Sequence, residues 1–138
     1  MLDKDIELTI EGIQKDPDGN ENKDITKETG KYYLKGQTHY VMTEDEVSAH
    51  SARYKFNHRF LEVVKNGDIN SKMYFEAGKS YTSVYKTPYG RMELTFQTHQ
   101  YTIYEKADTI EVSACYSLLN NNEIMSENHI KLSLTSKA

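Results

Sequence analysis

The sequence predicts an all-β fold, a single antiparallel meander of about 8 to 10 strands closed into a barrel. Three observations carry this expectation. Apolar residues recur with period two, turn-forming residues interrupt those runs at short intervals, and no stretch shows the spacing of a long amphipathic helix. Closure is favoured over an open sheet because long alternating strands would otherwise leave flat edges able to pair with other chains.

Taken in chain order, Ile6, Leu8 and Ile10 alternate with Glu7, Thr9 and Glu11 and form a first strand. Asp16-Pro17-Asp18-Gly19-Asn20 follows as a hairpin loop. Its acidic residues suggest a calcium loop, but the twelve-residue pattern and flanking helices are missing. Lys31-Tyr32-Tyr33-Leu34-Lys35 and Tyr40-Val41 are separated by a turn at Lys35-Gly36-Gln37. The acidic stretch Thr43 to His50 reads as a strand end and loop rather than a helical turn. Tyr54 and Phe56 against Arg53, Lys55 and Asn57 make another strand, then Leu61 and Val63 a further one, ending at a tight-hairpin signal, Lys65-Asn66-Gly67-Asp68. After Thr87-Pro88-Tyr89-Gly90 come Met92, Leu94 and Phe96, and later Ile110, Val112, Ala114, Tyr116 and Leu118. Asn120 to Asn122 reverses the chain, so that this strand pairs with Ile124 to Thr135.

A chain of 138 residues with two prolines and no Gly/Ser-rich linker reads as one domain, residues 1–138. No apolar run approaches the roughly 20 residues of a membrane helix, and Met1 to Lys15 lack a basic-then-apolar leader pattern. With a single cysteine, Cys115, a disulfide scaffold is excluded and a cytoplasmic setting is expected. Lys and Arg total 17 against 21 Asp and Glu, with the signs mixed; without a basic stripe, nucleic acid is disfavoured as a partner.

The residues that carry chemistry are sparse. None of the five histidines stands two or four residues from another, so no metal site is expected. Cys115 has no neighbouring cation to activate it, and neither a Gly-x-Ser-x-Gly elbow nor a phosphate loop occurs. The paired carboxylates sit in polar segments. No cofactor is implied, and the balance leans against an enzyme. His99 and His129 fall on the polar parity of their strands and are expected to face solvent. His58 shares the parity of Tyr54 and Phe56, which makes it a candidate for an inward place, with a hydrogen-bonded histidine at a barrel end as the plainer reading.

Tyrosine is the informative excess, with 11 in the chain. A phenol has an apolar ring and a polar tip, so it can line a cavity and orient a ligand. If the last two strands share one inward parity, Ser126 and Asn128 face inward beside Tyr116 and make a polar spot in an apolar barrel. Tyr85, Tyr116, Asn128 and His58 are accordingly the candidate ligand residues. Arg53, Lys55 and Arg59, interleaved with aromatic residues, are the candidate partner surface.

Several motifs also resemble a known family. Tyr32-Tyr33-Leu34 with Tyr40-Val41, Met73-Tyr-Phe-Glu-Ala-Gly78, the stretch from Tyr85 to Thr98, and Tyr116-Ser-Leu118 with Asn128 are similar to the YwiB-like family of uncharacterised bacterial proteins. The most specific part is Tyr-x-Thr-x-x-Gly-x-x-x-Leu-x-x-x-Thr from Tyr85 to Thr98. The resemblance covers most of the chain and implies a small calycin-type, lipocalin-like barrel of cytoplasmic origin, with no activity or cofactor to carry over. Thr43 stands where the family often has a tyrosine before an acidic residue. There is neither the tryptophan nor the disulfide of secreted lipocalins, and Gln14 to Asp24 has no room for the two-helix lid of fatty-acid-binding proteins.

Two functions from different classes follow as expectations. The favoured one is non-enzymatic binding of a small apolar or amphipathic molecule in the barrel interior, which requires a cavity of a few hundred Å³. The other is docking of a protein or RNA partner on the outer face or a sheet edge. Self-association as a homodimer through paired strands is compatible with either.

Overall fold

The computed structural model describes residues 2–45, 50–67 and 70–137. Its ten strands are β1 (Asp5–Lys15), β2 (Glu21–Lys35), β3 (Thr38–Asp45), β4 (His50–Phe56), β5 (Phe60–Asn66), β6 (Ser71–Glu76), β7 (Ser80–Thr87), β8 (Gly90–Glu105), β9 (Thr109–Asn120) and β10 (Glu123–Ser136). They form one antiparallel sheet in the order β6-β5-β4-β3-β2-β1-β10-β9-β8-β7. Each strand pairs with its sequence neighbour except at β6 and β7, and β1 pairs with β10. The all-β barrel expected from alternation is therefore present, as a nearly closed sheet. Among the described residues there is no helix, and so none long and apolar enough to cross a membrane.

The turns follow the local chemistry. Gly36 takes a φ of 63° in the two-residue link between β2 and β3. Asn121 and Asn122 both have positive φ, 53° and 65°, in the link between β9 and β10, the primed hairpin geometry that Asn tolerates. Asp16 Oδ1 accepts a hydrogen bond from the Asn20 amide at 2.8 Å, confirming that segment as a hairpin loop. The β5–β6 connection is longer than the tight hairpin expected: the ladder stops at Lys65 and Ser71, and Asp68 lies outside the described residues. Of the ambiguous acidic stretch, Thr43 to Asp45 ends β3 and His50 opens β4, while residues 46–49 lie outside the described set.

Inward-facing residues of all parts of the sheet meet in one core. Ile6, Leu8, Val41, Phe56, Leu61, Phe75, Val112, Leu132 and Leu134 are completely or almost completely buried, and they fill the middle of the barrel. No ladder joins β6 to β7. Instead, the turn between them is held to β8 by two backbone bonds, from the Gly78 amide to the Thr98 carbonyl (2.9 Å) and from the Thr98 amide to the Lys79 carbonyl (3.0 Å). Above that clasp the seam is closed by rings, with Phe75 lying 5.7 Å from Phe96 and 4.7 Å from Tyr116 between centroids.

Irregularities shape the ends, among them a register shift in β10 between Ile124 and Ser126. β8 has a bulge between Thr98 and Gln100, which leaves His99 extra and reverses the parity of the strand: Leu94, Phe96 and Thr98 face in before it, Tyr101, Ile103 and Glu105 after it. β2 pairs with β3 only from Gly30 to Lys35, so its first nine residues pair with β1 alone. At the point of divergence the backbones are close. A Cβ on Gly30 would stand 2.6 Å from the Met42 carbonyl oxygen, which is why glycine is required there.

Candidate functional site

The tyrosine end of the barrel is the candidate site, and the splaying of β2 from β3 creates it. Tyr116 faces Asn128 across the β9–β10 ladder. Asn128 Nδ2 donates to Ser126 Oγ at 2.9 Å, and Ser126 is buried, so the polar spot expected from inward parity exists and is partly satisfied internally. The Tyr116 ring packs on Phe75 and Phe96, and burial pushes its phenol up to about 12, with Tyr85 adding to the shift. The Tyr85 phenol is raised too, chiefly by burial. Both therefore remain neutral donors at ordinary pH.

Above Tyr116 and Asn128 is a cavity of about 170 Å³ whose other walls include Ile10, Gly12, Gln14 and Asp24. Thr26 also borders a larger cavity of about 500 Å³, reaching Glu28, Thr43, His50, Tyr54 and Lys65. In this second space the buried Tyr54 hydroxyl donates to Glu28 Oε1 at 3.2 Å, and its phenol is raised by burial and then by that carboxylate. The mouth thus combines a floor of two phenols, the buried Tyr54 and the partly buried Tyr116, with a polar wall from β2, whose inward positions are Asn22, Asp24, Thr26 and Glu28.

An outer groove of about 510 Å³ shares Thr43, Ser51 and Ala52 with that mouth, so the two hollows are opposite faces of one opening where β2 leaves β3. Arg53 lines the outer side with the exposed Tyr33 and Met42. Lys55 lies over Tyr40 (5.8 Å) and Phe60 (5.9 Å), while Arg59 lies over Phe60 (5.5 Å) and 4.0 Å from Glu76. Only Arg59 among these three has a carboxylate partner among the described residues.

Of the four ligand residues picked from sequence, Tyr85, Tyr116 and Asn128 occupy the tyrosine end. His58 does not join them. It sits in the β4–β5 turn at the opposite end, 68% exposed, with Nε2 3.6 Å from Glu105 Oε2. There Glu105 also meets His39, which is buried and bonded to Tyr32. Sequence reasoning missed Glu28, His39 and Glu105. For Glu105 a signal existed, since the apolar parity of β8 changes from even numbers to odd after Thr98.

A third cluster lies on the outer face. Ser117 Oγ stands 2.6 Å from His99 Nε2 and 2.9 and 2.8 Å from the two oxygens of Glu127. A hydroxyl has one proton, and the carboxylate can only accept, so Ser117 donates to Glu127 and His99 Nε2 must donate to Ser117. His99 cannot then act as base toward that serine, and the arrangement is a surface clasp at the bulge. His99 is half-exposed, as its parity suggested, but bonded rather than simply solvated. Among the described residues, no group of three or more His, Cys, Asp or Glu side chains is placed to hold a metal ion.

Comparison with known proteins agrees with this fold. The crystal structure of the ywiB protein from Bacillus subtilis superposes with a TM-score of 0.82 over 98% of this chain and 93% of that one, at 20% sequence identity. No curated protein matches the chain. A family model described as a domain of unknown function, DUF1934, matches residues 8–132. That match spans most of the barrel, from β1 into β10, and the chain belongs to the DUF1934 family.

Proposed function

We propose that this protein is a non-enzymatic binding barrel that holds a small, partly apolar molecule at its tyrosine end, in the manner of lipocalin-like barrels. The observation that carries the reading is the pair of hollows sharing Thr26, floored by Tyr54 and Tyr116 and edged by Glu28, Asp24 and Asn128. Binding sites for small molecules are concave, with apolar walls and a few fixed polar groups. Ile10, Ala52 and Ile130 supply apolar wall here, and the neutral phenols and Asn128 supply orientation. The packed middle of the barrel confines the ligand to the mouth, so a compact molecule fits better than a long chain. The single cysteine supports a cytoplasmic setting for this role.

Native mass spectrometry of protein purified without denaturant tests the reading, compared with the same sample denatured. An added mass of small-molecule size, lost on denaturation and reduced in Glu28→Leu, is expected. A bare chain, together with unchanged Ile10 and Ile130 methyl resonances on addition of an organic extract of the source cells, would refute it.

A second reading, docking of a protein partner on the outer groove, is favoured by one observation. Tyr33 and Met42 are about half exposed beside Arg53, where an apolar pair with a neighbouring cation fits an interface. Arg53→Glu would then weaken capture of that partner without altering the small-molecule mass.

A further inference from the structure

The end of the barrel opposite the tyrosine mouth holds another cavity, of about 380 Å³, bounded by Leu34, Gly36, Gln37, His39, His58 and Glu105. Its polar groups form a chain that begins in the core. Tyr32 Oη and His39 Nδ1 stand 2.7 Å apart, both buried, and His39 Nε2 lies 2.5 Å from Glu105 Oε1. The His39 ring is stacked between Tyr32, at 5.8 Å, and Phe56, at 4.9 Å, so its plane is fixed. A carboxylate accepts hydrogen bonds and cannot donate them; the network therefore assigns the proton to His39 Nε2, with Nδ1 accepting from the Tyr32 hydroxyl. Both ring nitrogens are then used. One oxygen of Glu105 is held from behind, and the carboxylate is presented at the cavity.

The other oxygen, Oε2, faces His58 Nε2 at 3.6 Å, which is too long for a hydrogen bond. His58 is on an exposed turn, and Gln37 is exposed on the β2–β3 turn. The cavity is therefore bordered by groups able to accept hydrogen bonds: the Glu105 carboxylate, the His58 imidazole and the Gln37 side-chain amide. Leu34, 43% exposed, gives it an apolar side.

We infer that this cavity is a second ligand site, taking a small organic cation with a primary ammonium head and a short alkyl chain. An ammonium has three donors and no acceptor, which complements Glu105 Oε2, neutral His58 and the Gln37 amide oxygen. The alkyl chain lies against Leu34. A metal ion fits less well because His39 has no ring nitrogen left to give and no three-ligand arrangement is present among the described residues. An anion would meet the carboxylate first. The site lies at the far end from the tyrosine mouth and does not depend on that mouth binding anything.

The test is an NMR titration of the full chain with n-butylammonium chloride at about pH 8, against sodium chloride at equal ionic strength. Saturable shifts are expected at Gln37 and in the rings of His39 and His58. Glu105→Gln should weaken the affinity by about tenfold or more, Gln37→Ala and His58→Ala by a few-fold, and Tyr116→Phe at the other mouth not at all. The two turn variants alter exposed side chains and keep the test usable if Glu105→Gln perturbs folding. Shifts that follow sodium chloride, or an affinity unchanged in Glu105→Gln or in both turn variants, would overturn the inference. Tighter saturation of the same signals by zinc chloride would also overturn it and assign the site to a metal.

Discussion

Replacing Phe75 by alanine tests how the barrel is closed. β6 and β7 share no ladder, so β6 is bound to the far wall by side chains, and Phe75 is the most enclosed of these, completely buried between Phe96 and Tyr116. Truncating a buried Phe costs about 3–5 kcal/mol in transfer and cavity terms. Losing two ring contacts, each contributing about 0.5–1.5 kcal/mol, places this site in the upper half of that range, about 4–5 kcal/mol. A domain of this length has about 7–20 kcal/mol of stability in total, so the variant folds but is weakened. Urea denaturation measures the loss, and Phe75→Leu, which retains much of the volume, should lose only about 1–2 kcal/mol. Hydrogen exchange locates it: amides of β6 and β7 should lose protection before those of β1, β9 and β10, because the latter are paired with a strand on both sides and the former on one side alone. A loss below about 1.5 kcal/mol, or exchange that quickens uniformly around the sheet, would refute the view that rings close the seam.

The Thr98 hydroxyl is buried with no hydrogen-bond partner among the described residues, although its backbone makes both bonds of the clasp. Thr98→Val should raise stability by about 1 kcal/mol and the melting temperature by a few degrees; a fall would mean that the hydroxyl has a bonded partner. Asn122 sits at a φ of 65°, so Asn122→Gly should be neutral or slightly stabilising in urea denaturation, while Asn122→Val should cost about 1–2 kcal/mol. Burial lifts the Tyr116 phenol from 10.0 to about 12, so between those pH values the folded chain holds a proton that the unfolded chain has released. Its contribution is constant below pH 10 and declines as pH rises toward 12, by about 3 kcal/mol for this group. Urea midpoints followed from pH 8 to about 11.5 should fall accordingly, and less steeply in Tyr116→Phe; equal slopes would contradict the assignment.

Alternation made the barrel legible wherever a strand keeps one parity along its whole ladder. Ile110 to Leu118 do so, and β10 does so from Ser126 to Leu134, beyond its own register shift between Ile124 and Ser126; from them the inward positions of Tyr116 and Asn128 were readable without a structure. The first half of β2 was unreadable for a physical reason: its inward residues, Asn22, Asp24, Thr26 and Glu28, face the mouth cavities rather than the core, so both faces of the strand are polar and no contrast survives. His39 was hidden differently. It shares inward parity with Val41 and Thr43, but Tyr40 and Met42 on the outer face are also apolar, which masks the period. Glu105 depends on the bulge at His99. Continued in the parity of Met92, Leu94 and Phe96, β8 would turn Gln100, Thr102 and Tyr104 inward and leave Glu105 outside. The extra residue exchanges the two faces within one step, which brings Tyr101 in to bond the Asn57 carbonyl at 2.7 Å and Glu105 in to meet His39. The same irregularity that defeats a one-parity reading of the strand therefore supplies both the anchor for the β4–β5 turn and the carboxylate of the second cavity. A change of apolar parity within one long strand is thus a sequence signal for inward polar residues beyond the bulge.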